Sequence, residues 1–242
     1  LIDLHSHILP GIDDGASDIG EALDIARQSV DIGVTHMMCT PHINQGVFDN
    51  SSTTITPSFL SLKEALEHQD IPLKIAFACE VRIGVDILPL VLQKKLPYIG
   101  EWNGKPCLLL ELPHSHVPPG VENLIKWLLN NNVQPIIPHP ERNRDIMADY
   151  SKLLFLKRLG CLFQVTAGVF ASRFSEKSSE LAEQMLEEGL IHYVASDTHS
   201  VKRRPNDMNV ARDKISRLRN DACAKRLTLD TPALITQNIH WV

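Results

Sequence analysis

The chain has no paired cysteines, no excess of positive charge and no long apolar run, and each absence removes a class of protein. Its five cysteines stand alone at 39, 79, 107, 161 and 223, with no Cys-x-x-Cys pair among them. That argues against a thiolate zinc site and against a disulfide framework. Acidic residues number 29 against 24 Lys and Arg, a formal net charge of −5. Non-specific nucleic-acid binding draws its strength from basic surface, so no nucleic-acid partner is expected. No apolar stretch approaches the ~20 residues of a membrane span, so no membrane insertion is expected. Leu1-Ile2-Asp3-Leu4-His5 lacks the basic and apolar regions of a secretory signal, and the expected setting is the cytoplasm. There is no Pro/Gly/Ser-rich linker, low-complexity tract or internal repeat, so residues 1–242 read as a single domain. What the chain does have is histidine: eleven residues, many beside acids.

Short apolar runs alternate with amphipathic stretches. Strands are expected at Ile2-Asp3-Leu4, Val34–Thr40, Leu73–Cys79, Cys107–Leu112, Val133–Pro138, Cys161–Thr166 and Leu190–Ser196. Helices are expected between them. Ser17 is the candidate cap of a helix carrying Ala22, Leu23, Ile25, Ala26 and Val30 and stopping at Gly33. Others cover about 57–68 and 86–95, and Val121, Leu124, Ile125, Leu128 and Leu129 share one helical face. A helix capped by Ser151 should end at Gly160, another should end at Gly189, and 206–225 closes the series. About seven β-then-α units imply a parallel sheet, its strands buried on both faces. A distorted (β/α)7 barrel of the TIM-barrel-like kind is the expectation, with an open doubly wound sheet as the alternative. The segment from Ile43 to Pro57, rich in Ser, Thr and Asn, reads as a mobile loop over the site.

Metal-type side chains recur at strand ends. His5-Ser6-His7 closes the first strand, with Asp13-Asp14-Gly15 just beyond. His42 follows the second strand, Glu80 and Glu111 end the third and fourth, and His139 follows the fifth. Asp197 and His199 end the last. In a parallel barrel all strand C-termini open on one face, so these nine residues would converge. Residues i and i+2 of a strand point the same way, which lets His5 and His7 hold one ion together. Imidazoles and carboxylates without thiolates suit manganese, iron, zinc or magnesium. Such a donor set serves two ions and has room for a third. Multi-metal sites suit phosphoryl transfer, because they hold phosphoryl oxygens and generate hydroxide near neutral pH. Arg142, in His139-Pro140-Glu141-Arg142, and Arg204 are close enough in sequence to reach the same mouth and match a phosphate edge. His36, His68, His192 and His240 read as solvated or structural. His114 and His116 read as residues of a Pro-rich loop, and the cysteines as small core residues. Six positions after each cysteine stand Gln45, Val85, Pro113, Ala167 and Leu229, which rules out a Cys-x5-Arg phosphatase.

These motifs together resemble the PHP superfamily (polymerase and histidinol phosphatase). The likeness is greatest to the bacterial manganese-dependent protein-tyrosine phosphatases of capsule and exopolysaccharide operons. It rests on Asp3 to Gly15, Thr40-Pro41-His42, Glu80, Glu111, His139 to Arg142, and Ala195 to His199 followed by Arg204-Pro205. The resemblance implies a three-metal site. One ion takes His5, His7 and Asp197, with Glu80 bridging. A second shares Glu80 and takes Glu111 and His139. A third takes Asp14, His42 and His199. It implies manganese, two or three ions, with iron, zinc or magnesium as substitutes. Arg142 and Arg204 would be catalytic, and the partner a phosphotyrosine protein, the tyrosine-rich tail of a bacterial tyrosine kinase. Rival readings are a small-molecule phosphatase such as a histidinol phosphatase, a phosphodiesterase, and an inactive metal-holding module that acts by binding.

Overall fold

The computed structural model describes residues 1–242. Ten strand segments appear where seven strands are expected, because two strands are broken and one hairpin is added. β1 is Ile2–Ser6 and α1 is Ile19–Asp31. The second strand divides into β2, His36–Cys39, and β3, His42–Ile43. Pro41 stands in the gap, and without an N–H it cannot continue a ladder. The third divides into β4, Lys74–Phe77, and β5, Glu80–Arg82. Glu80 therefore begins a strand rather than ending one. Between β3 and β4 lies α2, Ser52–His68. Register survives the break: Cys39 faces Phe77 and His42 faces Glu80, the same offset on both sides.

Next come α3, Ile87–Leu92, and β6, Glu101–Trp102. β6 pairs antiparallel with β7, Lys105–Glu111, and is the one departure from parallel pairing among the strands. α4 is Val121–Asn130 and β8 is Gln134–Pro138, followed by a 3-10 turn at Pro140–Arg142. α5 is Arg144–Ala148, α6 is Ser151–Arg158 and β9 is Leu162–Thr166. α7 is Ala167–Phe170, α8 is Glu176–Glu187 and β10 is Tyr193–Ala195. The chain closes with α9, Met208–Leu218, α10, Asp221–Lys225, a π-helical stretch at 226–230, and α11, Thr231–Ile235.

The strands form two parallel sheets, β1-β2-β4 and β10-β9-β8-β7-β5-β3, with β6 on the edge of β7. Backbone bonds also run between β1 and the segment after β10: Asp197 N–H to His5 O, and His7 N–H to Thr198 O. A cluster of 13 buried residues joins both sheets through Leu4, Met38, Ala76, Leu109, Ile136, Leu162 and Tyr193. A larger cluster of 49 lies between strands and helices. Each such Leu or Ile contributes ~2 kcal/mol on burial, which offsets the cost of desolvating the polar strand ends.

Local differences from the sequence reading have local causes. Asp18, not Ser17, caps α1 by accepting from Glu21 N–H, while the Ser17 hydroxyl donates to Glu21. Ser151 is the first helical residue of α6 rather than its cap. The segment 43–57 is mostly structured. Asn44 bridges to Phe48, and α2 begins at Ser52 under a Ser51–Thr54 capping box, carrying Pro57 within it. The 206–225 helix is interrupted at Asn220, which caps α10 through Cys223 N–H. No helix is long and apolar enough to cross a membrane.

Candidate active site

Strand alternation delivers the site. Leu109, Leu162 and Ala195 belong to the small core cluster, and two residues further along the same chain faces stand Glu111, Gln164 and Asp197. The register of β1 slips between Asp3 and Ser6 against β2, and His5 and His7 emerge at its end. His139 (φ 38°) and Asp197 (φ 53°) both adopt left-handed backbone just beyond their strands, a strained geometry that concentrates at functional sites.

All nine candidate ligands join one continuous cluster. His5 Nε2 lies 3.2 Å from His7 Nε2 and 3.2 Å from Glu80 Oε2. His7 Nε2 lies 3.3 Å from the same Glu80 oxygen, and Asp197 Oδ1 is 3.5 Å from both imidazoles. His42 Nδ1 is 3.2 Å from Glu80 Oε2 and 3.9 Å from Glu111 Oε2. His139 Nε2 meets Glu80 Oε1 at 2.9 Å. Asp14, the one exposed member, reaches His42 Nε2 at 3.4 Å and His199 Nε2 at 3.3 Å. Three groups are compact enough to hold a cation: His7, Asp14, His42 and His199; His5, His7 and Glu80; and His42, Glu80 and Glu111.

The donor chemistry fits cations. His5 Nδ1 bonds Gln164 Oε1 at 2.8 Å and His7 Nδ1 bonds Asp13 Oδ2 at 2.7 Å. Donating there, both neutral rings turn an Nε2 lone pair toward the other and toward two carboxylate oxygens. Donors ~2.1 Å from a common centre in tetrahedral array are ~3.4 Å apart, and five of the six edges here measure 3.2 to 3.5 Å. Glu111 Oε2 is buried with no hydrogen-bond partner. Without a cation, protons take its place: burial alone would depress His5 and His7, but carboxylates reverse this and raise both to about 9. The carboxylates are Glu80 and Asp197 for His5, and Asp13 and Glu80 for His7. Burial pushes Glu111 up to about 7, with Glu80 adding repulsion. Burial and Arg142 hold His139 down at about 3.

Asp197 divides its oxygens. Oδ1 faces the imidazoles, while Oδ2 takes Arg142 Nη1 and Arg204 Nη2, each at 2.5 Å. Against burial, these two guanidiniums keep Asp197 well below the usual carboxylate range. Arg204 also donates to His199 Nε2 at 2.9 Å, the lone pair a cation would take. Both arginines thus reach the site, through Asp197.

Several contributors escaped the sequence reading. Asp13 was visible beside Asp14, but its bond to His7 was not. Gln164 carries no motif at all. Arg82 Nε lies 3.3 Å from Glu111 Oε2, and its Nη1 donates to Leu112 O. Buried Asp3 accepts from Ser196 N–H and Asn206 Nδ2, tying the chain's start to the Asp197 segment. Phe48 stacks on His42 with ring centroids 5.5 Å apart. His36, His68 and His192 stand outside the cluster. His36 packs edge-on against Trp241, His68 lies exposed near Glu64, and His192 accepts from Phe163 N–H.

The model of the capsular polysaccharide synthesis family CpsB/CapC matches residues 1–237. The chain belongs to this family. Tyrosine-protein phosphatase YwqE of Bacillus subtilis (strain 168) is 36% identical over 204 residues, spanning 84% of this chain and 79% of its own. Tyrosine-protein phosphatase CpsB of Streptococcus pneumoniae is 28% identical over 244 residues, spanning 97% and 98%. A solved chain from crystal structures of YwqE and CpsB, described as unique metal-dependent tyrosine phosphatases, superposes with a TM-score of 0.91. It is 32% identical and spans 98% of this CpsB/CapC chain and 95% of its own.

Proposed function

We propose that this chain is a metal-dependent protein-tyrosine phosphatase without a cysteine nucleophile. It would hold two or three divalent cations, manganese first among them, on His5, His7, Asp14, His42, Glu80, Glu111, His139, Asp197 and His199. The observation that carries the reading is the set of buried, mutually facing lone pairs on His5, His7, Glu80 and Asp197. Such a group is stable only around positive charge. Cys39, Cys79, Cys107 and Cys161 are buried with their thiols pushed up in pKa by burial, which makes them poor nucleophiles.

Bound cations would neutralise phosphoryl charge and make water a nucleophile near neutral pH. The chain's own part is positioning. Gln164 and Asp13 fix the His5 and His7 rings so that Nε2 faces inward. Arg142 and Arg204 hold Asp197, and both side chains line the adjoining pocket, where a phosphoryl oxygen would meet them. A tyrosine phenol has a pKa near ~10, so the departing oxygen needs only modest proton donation.

The two parallel sheets read as parts of one distorted (β/α)7 barrel over a single 1–242 domain. Support comes from the bonds between β1 and the Asp197 segment. The family's place in capsule synthesis favours the phosphotyrosine tail of a bacterial tyrosine kinase as substrate, in the cytoplasm. The test is phosphate release by chelator-stripped protein, with and without manganese, from a phosphotyrosyl peptide and from histidinol phosphate in parallel. Manganese-dependent release from the peptide is expected. Release from histidinol phosphate alone would overturn the substrate and keep the site. Arg142→Ala should lower turnover while metal stays bound, and full activity in that variant would remove Arg142 from the mechanism.

A further inference from the structure

Beside the metal-type cluster lies an open pocket of about 350 Å³ lined by basic side chains, one of which has no acid partner. Arg142, Arg204, Arg144 and His114 line it, with Phe174 and Met147 as its apolar wall, and no carboxylate borders it. The three arginines differ. Arg142 and Arg204 are engaged with Asp197, and Arg142 sits 5.1 Å over the Phe174 ring. Arg144 is exposed, and its guanidinium pairs with no acid on this chain. Its backbone N–H donates to His114 O, which anchors the residue at the rim. The phosphoryl group would engage the first two arginines, and the third pairs neither with Asp197 nor with any candidate ligand.

We propose that the rim of this pocket at Arg144, beside the part that meets the phosphoryl group, is a subsite for an acidic residue flanking the phosphotyrosine, with Arg144 the residue that selects it. The proposal rests on the phosphotyrosine reading and narrows its substrate class to acidic phosphopeptides. Charge complementarity carries it. A guanidinium with no acid of its own, on the rim of the phosphate site, lowers the energy of a second anion on the same substrate. A neutral or basic flank would gain nothing there or be repelled. Arg144 touches none of the nine candidate ligands, so it acts on peptide binding and not on the reacting atoms.

The experiment compares two phosphotyrosyl peptides that differ only by Glu or Gln beside the phosphotyrosine, with p-nitrophenyl phosphate as a substrate that has no flank. Manganese-loaded wild type, Arg144→Ala and Arg144→Glu are assayed at low and high salt. The wild type should favour the Glu peptide in kcat/KM by roughly three- to fivefold, the scale of an exposed charge pair. The difference should lie in KM and shrink at high salt. Arg144→Ala should erase the preference and Arg144→Glu should invert it, with p-nitrophenyl phosphate cleaved as in wild type. Equal kcat/KM for both peptides in the wild type, or a preference that survives in Arg144→Ala, would overturn the subsite alone. Failure of the wild type on both peptides, with p-nitrophenyl phosphate still cleaved, would overturn the phosphotyrosine reading and the subsite with it.

Discussion

Asp13→Asn changes almost no volume and should still cripple metal binding. The wild-type carboxylate is fully buried and accepts three bonds: from His7 Nδ1 at 2.7 Å, His42 N–H at 3.1 Å and Gly15 N–H at 3.0 Å. An asparagine must turn its NH2 toward one side. Facing His7 and His42 it opposes two donors, and facing Gly15 it opposes one, so the second orientation wins. That leaves the half-buried Gly15 N–H without its acceptor, at ~1 kcal/mol. It also strips the charge from the bond that holds the His7 tautomer, roughly halving its strength. His7 belongs to two of the three candidate cation groups, so the damage is shared between them. Loss of such an orienting partner typically lowers metal affinity about 10–100-fold. Manganese titration of chelator-stripped protein by calorimetry reads this directly, and activity at saturating manganese should recover most of the wild-type turnover. Asp13→Ala, which removes all three acceptor contacts, should bind more weakly still. Manganese affinity within twofold of wild type in both variants would refute the orienting role of Asp13.

Four further outcomes are expected. In Gly15→Ala the new Cβ would stand 1.9 Å from His7 O, so the Asp13–Asp14 turn must leave its seat. The cost of about 3 kcal/mol or more is a Tm loss of roughly 6–12 °C for a chain of this size, and an unchanged Tm would show that the turn yields freely. Manganese at ~100 times its Kd should stabilise the stripped protein by ~2.7 kcal/mol, seen as a rise in Tm. The apparent affinity should weaken as pH falls below about 9, because His5 and His7 then hold protons that the cation must displace; an affinity unchanged between about pH 6 and 8 would contradict this. His192 is held at about 4 by burial, and its Nδ1 accepts from Phe163 N–H. The unfolded chain takes up that proton near ~6.5, so this contribution to stability is full above that pH and falls away toward pH 4, by about 3 kcal/mol. His192→Asn, whose Oδ1 can accept in place of Nδ1 without titrating, should flatten that slope in denaturant melts, and an identical slope would clear His192.

Much of the site could be read along the chain, because its signals are local. His5 and His7 share a strand face by period two, and Asp197 and His199 repeat the spacing. Glu111 ends an apolar run that has no other reason to finish in a charge. The alternation of strand and helix was equally plain, as was the apolar stripe of α4. Boundaries were less so. Asp18 rather than Ser17 caps α1, and the strand expected to end at Glu80 is broken before it, since neighbouring residues of similar propensity are separated only by their tertiary partners.

Other features have no local signature. Gln164 orients His5 from 159 positions away, and Asp3 holds Ser196 from 193 positions away. Neither follows from spacing, because nothing in a stretch of sequence records which distant strand lies beside it. The same holds for Arg142 and Arg204, which the chain places near the mouth and the fold places on Asp197 Oδ2. Residue types and periodicity specify which side chains reach the strand ends. The register between strands and the packing of the two sheets against a shared core set which of those side chains touch, in what tautomer and with what charge. Those are distances between remote segments, and only the folded chain has them.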